Sequence, residues 1–250
     1  MGNLKLKLKN ILFNNKNQNL KEKYADIDSA HFWDLYKLCK PFTMTSVERM
    51  FALYNATNYV LDNNIEGDFV ECGVWRGGSA MMVAYILKNR NVLDRKIYLY
   101  DTYEGMSEPT EFDKTFDGSS AKNLLMQSKN KETAIIWCLA SLEDVQQNLR
   151  LTGYTEDNIF YIKGKVEDTI TSKSPIHNIA LLRLDTDWYE STKHELEYYY
   201  PKLQKNGILI IDDFGHWEGC KKAVVEYFKK NNITMLLQRI DYTGRLAIKN

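Results

Sequence analysis

The chain has 250 residues, with 33 Lys plus Arg against 33 Asp plus Glu. Its formal charge is zero, and bulk attraction to nucleic acid or an anionic lipid surface has no source. A 44% hydrophobic, 12% aromatic composition at this length suits one α/β domain with a sizeable core.

Cys39, Cys72, Cys138 and Cys220 are scattered without a CxxC pair. That spacing disfavours a disulfide framework or a zinc knuckle and implies free thiols in a reducing, cytoplasmic compartment. The start, "MGNLKLKLKNILFNN", is basic, and Lys5, Lys7 and Lys9 interrupt its apolar residues, so it lacks the continuous core of a signal peptide. Residues 1–27 are expected to form a flexible basic arm and 28–250 a single domain. No apolar run is long enough to span a bilayer.

From Pro41 onward, "TMTSVERMFALYNATNYVLDN" predicts a helix, with Val47, Met50, Phe51, Leu53, Tyr54 and Val60 as its apolar face. Glu48 three residues after Thr45 has capping-box spacing. Residues 41–67 are read as a helical cover. Five short β-rich runs follow, each ending in an acid or a glycine turn: "GDFVEC", "KIYLYD", "NIFYIKG", "IALLRLD" and "NGILIIDD". Helical patterns alternate with them, at 79–89, at "SLEDVQQNLRL" capped by Ser141, and at 191–204, which opens on Ser191 and Thr192. Such alternation specifies a parallel sheet with helices on both faces. The tail, "ITMLLQRIDYTGRLAIKN", reads as two strands joined around Gly244. The expected fold is therefore a three-layer αβα sandwich. Its Rossmann-like, seven-stranded, mostly parallel sheet ends in a C-terminal antiparallel hairpin, the outline of an S-adenosylmethionine-dependent methyltransferase.

The turn "ECGVWRGGS" places Gly73, Gly77 and Gly78 between a strand and a helix beginning at Ser79. Glycine is needed where backbone must approach a ligand closely, and a helix N-terminus favours negative charge. A structural turn looks the same. The spacing departs from GxGxxG, and no GK[ST] follows. Asp101 lies 28 residues beyond Gly73, the usual distance for an acid that binds ribose hydroxyls; as a turn aspartate it would need no ligand. After the third strand, "KGKVEDT" brings Gly164, Glu167 and Asp168 to the sheet's carboxyl edge, where an adenine ring could be met.

Asp185, Asp187, Asp212 and Asp213 end the fourth and fifth strands and should converge in the crevice at that edge. Hard oxygen ligands of this kind suit Mg2+, Ca2+ or Mn2+. Arg183 offers a different partner, because strand alternation puts it on the same side as Asp185. The four histidines, His31, His177, His194 and His216, have no zinc-site spacing. Only His216 falls at the expected crevice, as a general base or an ordinary loop residue. No GxSxG elbow is present. Phe112 and Phe116 lie in a polar insertion, "EPTEFDKTFDGSSAKNLL", with the character of a mobile lid.

Taken together, "PFTMTSVERM", "GDFVECGVWRGGS", "LYDTYEGMSEPT", "GKVEDT", "LLRLDTDWYEST" and "LIIDDFGHWEGCKKAVVEYF" resemble the macrocin O-methyltransferase family over residues 41–230. The resemblance implies a class I S-adenosylmethionine methyltransferase that uses Mg2+ to methylate a sugar hydroxyl on a natural product. It implies Asp185, Asp212 and Asp213 as metal ligands. It places the donor's methionine end near Glu71, Gly73 and Ser79, its ribose near Asp101 and Thr102, and its adenine near Gly164, Glu167 and Asp168. Thr45 and Ser46 would cover the donor. Asp185 or His216 would accept the proton. Antibiotic-tailoring members commonly read Asp-Gly-Asp where this chain has "DTD", and lack "GHW" after the paired aspartates, so the acceptor need not be a macrolide. The expected partner is a small molecule or glycan precursor, with a homo-oligomer left open. The competing readings are a donor-binding protein without catalysis, a nucleotide-sugar oxidoreductase and an interaction protein built on the basic arm.

Overall fold

The computed structural model describes residues 20–128 and 135–250. Most of the expected basic arm lies outside these residues. The chain divides into two compact units, one ending at Asp34 and the other comprising Leu35–Asn250. In the first, the indole N–H of Trp33 donates to the carbonyl of Ile27 at 2.8 Å. Helix α1, Ala30–Cys39, runs across the division.

In the second unit, α2 (Val47–Asp62) precedes β1 (Asp68–Cys72), α3 (Gly78–Asn89) and β2 (Ile97–Asp101). Then come α4 (Ala121–Gln127), α5 (Leu142–Arg150), β3 (Ile159–Lys163), the single turn α6 (Val166–Thr169) and β4 (Ile179–Leu184). Helix α7 (Tyr189–Tyr199), β5 (Leu203–Ile211), α8 (Glu218–Lys230), β6 (Gln238–Arg239) and β7 (Arg245–Ile248) complete the chain. The strands order as β3-β2-β1-β4-β5-β7-β6, with β7 antiparallel to both neighbours and the other pairs parallel. This is the seven-stranded, mostly parallel sheet with a terminal antiparallel pair that the alternation of patterns implies.

Three boundaries differ from the sequence reading. The hydroxyl that caps α2 is that of Ser46, which accepts from the N–H of Arg49 at 3.1 Å; Thr45 lies outside the helix. Helix α7 starts at Tyr189, ahead of Ser191 and Thr192, and stops at Tyr199, because Pro201 turns the chain into a 3-10 segment before β5. In the tail, β6 covers only Gln238 and Arg239. Ser141 caps α5 as its sequence implies, accepting from Asp144 N–H at 3.2 Å.

Period-two alternation sorts the side chains of the central strands between two layers. Val70, Cys72, Leu182, Leu184, Leu209 and Ile211 point into a core shared with α7 and α8. Helix α8 brings Cys220, Val224, Tyr227 and Phe228 to this core, apolar positions three and four apart. On the opposite face, Glu71 of β1 lies in register with Arg183 of β4, both buried among apolar neighbours.

Tyr100, Cys72, Leu184 and Ile211 stand in one row across four parallel strands. The next residues, Asp101, Gly73, Asp185 and Asp212, therefore form the rim. The row is tied by Gly73 N–H to Tyr100 O at 2.8 Å, Asp185 N–H to Cys72 O at 2.8 Å and Asp212 N–H to Leu184 O at 2.9 Å. Gly73 has φ +83, and a Cβ there would lie 1.9 Å from the carbonyl oxygen of Asp185. Only glycine lets the β1 and β4 turns meet so closely. Gly73→Ala is expected to cost about 3 kcal/mol or more, roughly 6–12 °C in the unfolding midpoint for a chain this long, as read by scanning calorimetry.

Candidate active site

Arg183 is buried in the middle of the sheet, on a strand otherwise made of aliphatic residues. Its guanidinium meets Glu71 Oε1 at 2.6 Å, Asp212 Oδ1 at 2.7 Å and Asp185 Oδ2 at 2.8 Å, and donates to Thr45 Oγ1 at 3.3 Å. Burial by itself would lower its pKa, but Asp185 and Glu71 hold it above the ordinary arginine value. Burial pushes Glu71 up to about 7 even with Arg183 beside it. From α2, Arg49 pairs with the other oxygen of Asp212 and with Asp241 Oδ2 at 3.0 Å. Ser46 Oγ also donates to Asp241, at 2.8 Å.

Beside this network, single carboxylate oxygens of Asp185, Asp212 and Asp213 lie within 4.8 Å of one another. Asp187 joins them: its backbone N–H donates to Asp213 Oδ2 at 3.3 Å, and its Oδ1 accepts from the Trp217 indole at 2.5 Å. Withdrawal from water, and the charge of Asp185 beside it, raise the Asp187 pKa above the carboxylate range. Asp213 is raised by the same burial and by the charges of Asp187 and Asp185. The cavity at this edge has a volume of about 180 Å³, and Arg49, Asp185, Asp187, Asp212 and Asp213 are among its walls. The carboxylates here outnumber the two guanidinium groups. Three carboxylate oxygens at this spacing are a donor set that fits a hard divalent cation.

A second cavity adjoins the first, with Gly73, Asp101, Met106 and Cys138 as walls common to both. Asp101 Oδ2 accepts from Val74 N–H at 2.7 Å and Trp75 N–H at 3.1 Å, and its Oδ1 from Tyr103 N–H at 2.7 Å. Burial raises this carboxyl's pKa against the pull of those three donors. Thr102 hydrogen-bonds Gly105 O at 2.6 Å. Thr102, Glu167 and Thr186 also face the second cavity, whereas Thr45 and Ser79 face the first. Glu71 and its partner Arg183 sit beneath the rim.

Ser46, Gly164 and Asp168 do not line either cavity. Ser46 is spent on the helix cap and Asp241, and Asp168 is exposed on α6. Gly164 makes the turn itself, with φ +138 and its N–H on Asp101 O at 3.0 Å. His216 is likewise outside both linings; its ring contacts Phe116, Trp217 and Tyr242. Burial lowers its pKa. Tyr189 packs rather than faces the cavities, its hydroxyl on Glu226 at 2.7 Å and its ring 4.8 Å from Phe112.

Backbone strain marks the same place. Among the described residues, eight non-glycine residues have positive φ. Four are asparagines, which tolerate that conformation. The others are Trp75, Tyr103 and Cys138, of less tolerant types, and Asp187, and all four flank these two cavities. A bulky residue held there costs on the order of 1–3 kcal/mol and persists because its surroundings enforce it, and such residues concentrate at functional sites. Arg49 and Trp217 escaped the sequence reading. Arg49 looked like a polar face of α2, and the one signal for Trp217 was its place in "GHW" after the paired aspartates.

A sheet of this order, with a glycine turn and a buried aspartate on one side of the rim and clustered carboxylates on the other, is shared with O-methyltransferases. The family model for Macrocin-O-methyltransferase (TylF) matches residues 5–247, and the chain belongs to that family. It is 33% identical over 203 residues to demethyldecarbamoylnovobiocin O-methyltransferase of Streptomyces niveus, covering 81% of this chain and 73% of that one. It is 32% identical over 202 residues to 8-demethyl-8-(2,3-dimethoxy-alpha-L-rhamnosyl)-tetracenomycin-C 4'-O-methyltransferase of Streptomyces olivaceus, covering 81% and 73%. The solved structure of the O-methyltransferase NovP superimposes with a TM-score of 0.73 at 31% identity, covering 84% of this chain and 82% of that one.

Arg183→Met leaves Glu71 and Asp212 buried beside a lost cation. It is expected to cost about 3–5 kcal/mol. The double variant with Glu71→Leu should recover part of that loss in thermal denaturation.

Proposed function

We propose that the chain transfers the methyl group of S-adenosylmethionine to a hydroxyl of a sugar, a sugar-containing metabolite or a glycan precursor, with a hard divalent cation such as Mg2+ held by Asp185, Asp212 and Asp213. The observation that carries this reading is the shared wall: three carboxylate oxygens within 4.8 Å of one another border the cavity that adjoins the glycine turn and Asp101. The tetracenomycin relative is named for methylating the 4' oxygen of a rhamnosyl group, which supports a sugar hydroxyl as acceptor.

In this reading the donor lies along the β1–β2 side, its ribose at Asp101 and Thr102, its adenine beside Glu167 and its methionine end over Gly73. The acceptor oxygen attacks the methyl carbon in line, a C–O bond forms as the C–S bond breaks, and the electron pair stays on sulfur. Orientation is the larger part of the catalysis. A bound cation supplies Lewis acidity that makes the hydroxyl proton easier to remove. Asp187 is the carboxylate best set to take that proton: it lines the cavity, it is held by the Trp217 indole, and it is not needed as a metal ligand. Asp185 and His216 are the alternatives to it.

Calorimetric titration with S-adenosylhomocysteine, with and without Mg2+, tests the binding scheme. Chelation is expected to lower turnover by about 100-fold or more while product affinity stays within a few-fold. A mass-shift screen of nucleotide sugars and glycan precursors should find one that gains a methyl group. Asp187→Asn should lower kcat by about 100-fold or more with donor affinity kept, and His216→Ala by less than about tenfold. The reverse ranking would assign the base to His216. Asp101→Ala should weaken S-adenosylhomocysteine by about tenfold or more, because it removes both the ribose acceptor and the anchor of the 74–75 turn.

A further inference from the structure

The insertion between β2 and β3 is fastened to the two acid-bearing turns through one carboxylate. Asp113 is completely buried. Its Oδ1 accepts from the N–H of Tyr189, the first residue of α7, at 2.8 Å. Its Oδ2 accepts from Thr110 N–H at 2.6 Å and Thr110 Oγ1 at 2.8 Å. The same Oδ1 lies against the first turn of α8, so close that a Cβ on Gly219 would be 1.9 Å from it. A negative charge between two helix N-termini is favoured by both dipoles, and burial strengthens the effect.

The neighbouring backbone continues the seam. Glu218 N–H donates to Lys114 O at 2.8 Å, Thr115 pairs with Trp217, and Phe116 N–H donates to His216 O at 2.9 Å. Helix α7 begins two residues after Asp187, and α8 begins five residues after Asp213. The Trp217 that pairs with Thr115 is also the Trp217 that holds Asp187. The sheet ladder sets Asp185 and Asp212, and whatever fixes the first turns of α7 and α8 relative to each other constrains the acids beyond it, Asp187 and Asp213.

We propose that Asp113 is a positioning residue for the metal centre: it clamps the N-termini of α7 and α8 together, and so holds Asp213, which lies beyond the sheet ladder, at cation-binding distance from Asp185 and Asp212. The inference rests on the metal reading above. It gives the insertion a role in assembling the acids rather than solely in covering them, and it explains why α8 carries glycine in its first turn, where a side chain would expel the Asp113 carboxylate.

The test is titration of the full chain with Mn2+ alone, and separately with S-adenosylhomocysteine alone, by calorimetry. Asp113→Ala and Gly219→Ala should each weaken Mn2+ by about tenfold or more, the range expected when a buried charge-assisted hydrogen bond is lost, and leave S-adenosylhomocysteine within about twofold. Asp113→Asn, which keeps an oxygen for Tyr189 N–H, should restore most of the Mn2+ affinity. Thr110→Val gives a milder variant should Asp113→Ala not fold, with a smaller loss of Mn2+ affinity in the same direction. Equal loss of both ligands in every variant, or no loss of Mn2+ in any folded one, overturns the clamp while the metal site stands. A wild-type chain that binds no Mn2+ overturns the metal reading and the clamp with it.

Discussion

A guanidinium group inside a parallel sheet is an expensive object, and the site is organised around keeping it there. Desolvating Arg183 costs several kcal/mol unless its charge and its N–H groups are matched. Glu71, Asp212 and Asp185 match them, from three adjacent strands. Each of those carboxylates is thereby aimed before any ligand arrives. Arg183 is thus the competing explanation for the acids and, at the same time, the reason they are ordered. It engages one oxygen of Asp185 and one of Asp212, and the remaining acids, Asp187 and Asp213, repel each other across a backbone hydrogen bond.

The second constraint is proximity. Parallel register puts Gly73 next to Asp185, and the absence of a side chain at 73 lets the two turns touch. The donor turn and the acid cluster consequently share Gly73, Asp101, Met106 and Cys138 as walls. Methyl transfer demands that donor carbon and acceptor oxygen sit in line at little more than contact distance. With the donor bound as proposed, at the end of one strand beside the acids of the next, topology alone would meet that demand.

Much of this was legible in the sequence, for identifiable reasons. Period-two strands ending in acids, separated by capped helices, leave few alternatives to a parallel sheet, and the sheet's carboxyl edge brings distant acids together. The alternation argument also placed Arg183 beside Asp185. Contacts that depend on helix phase or on loop paths were not legible. Arg49 reaches Asp212 only because α2 lies across the Glu71 face, and Asp113 reaches Tyr189 across 76 positions in sequence. The expectation of a mobile lid at 108–125 missed the buried aspartate in "EFDKTF", because a lone acid between aromatics looks like an exposed turn until its helix partners are known. Ser46 and Asp168 read as donor contacts because hydroxyls and acids near a sheet edge look alike in sequence, whether they cap a helix, face solvent or meet a ligand.

The division of labour among the aspartates follows from electrostatics. A carboxylate that faces a guanidinium or a cation has its charge satisfied by that partner. Asp185 and Asp212 are in that position, each facing Arg183 at hydrogen-bond distance. Asp187 instead receives one neutral indole donor, lies beside Asp185 and Asp213, and is held in a left-handed backbone conformation that an aspartate adopts at some cost. Those conditions raise its proton affinity toward the range where a base is useful near neutral pH. In the proposed scheme, the acid that would grip the cation and the acid that would accept the proton stand two residues apart in "DTD". Thr186 between them faces the second cavity, its hydroxyl on Ser191 Oγ and Glu195 Oε1, both at 2.9 Å. A threonine so anchored fixes the backbone that carries both acids, which is how this chain can depart from Asp-Gly-Asp at the middle position and keep the two flanking carboxylates on one rim.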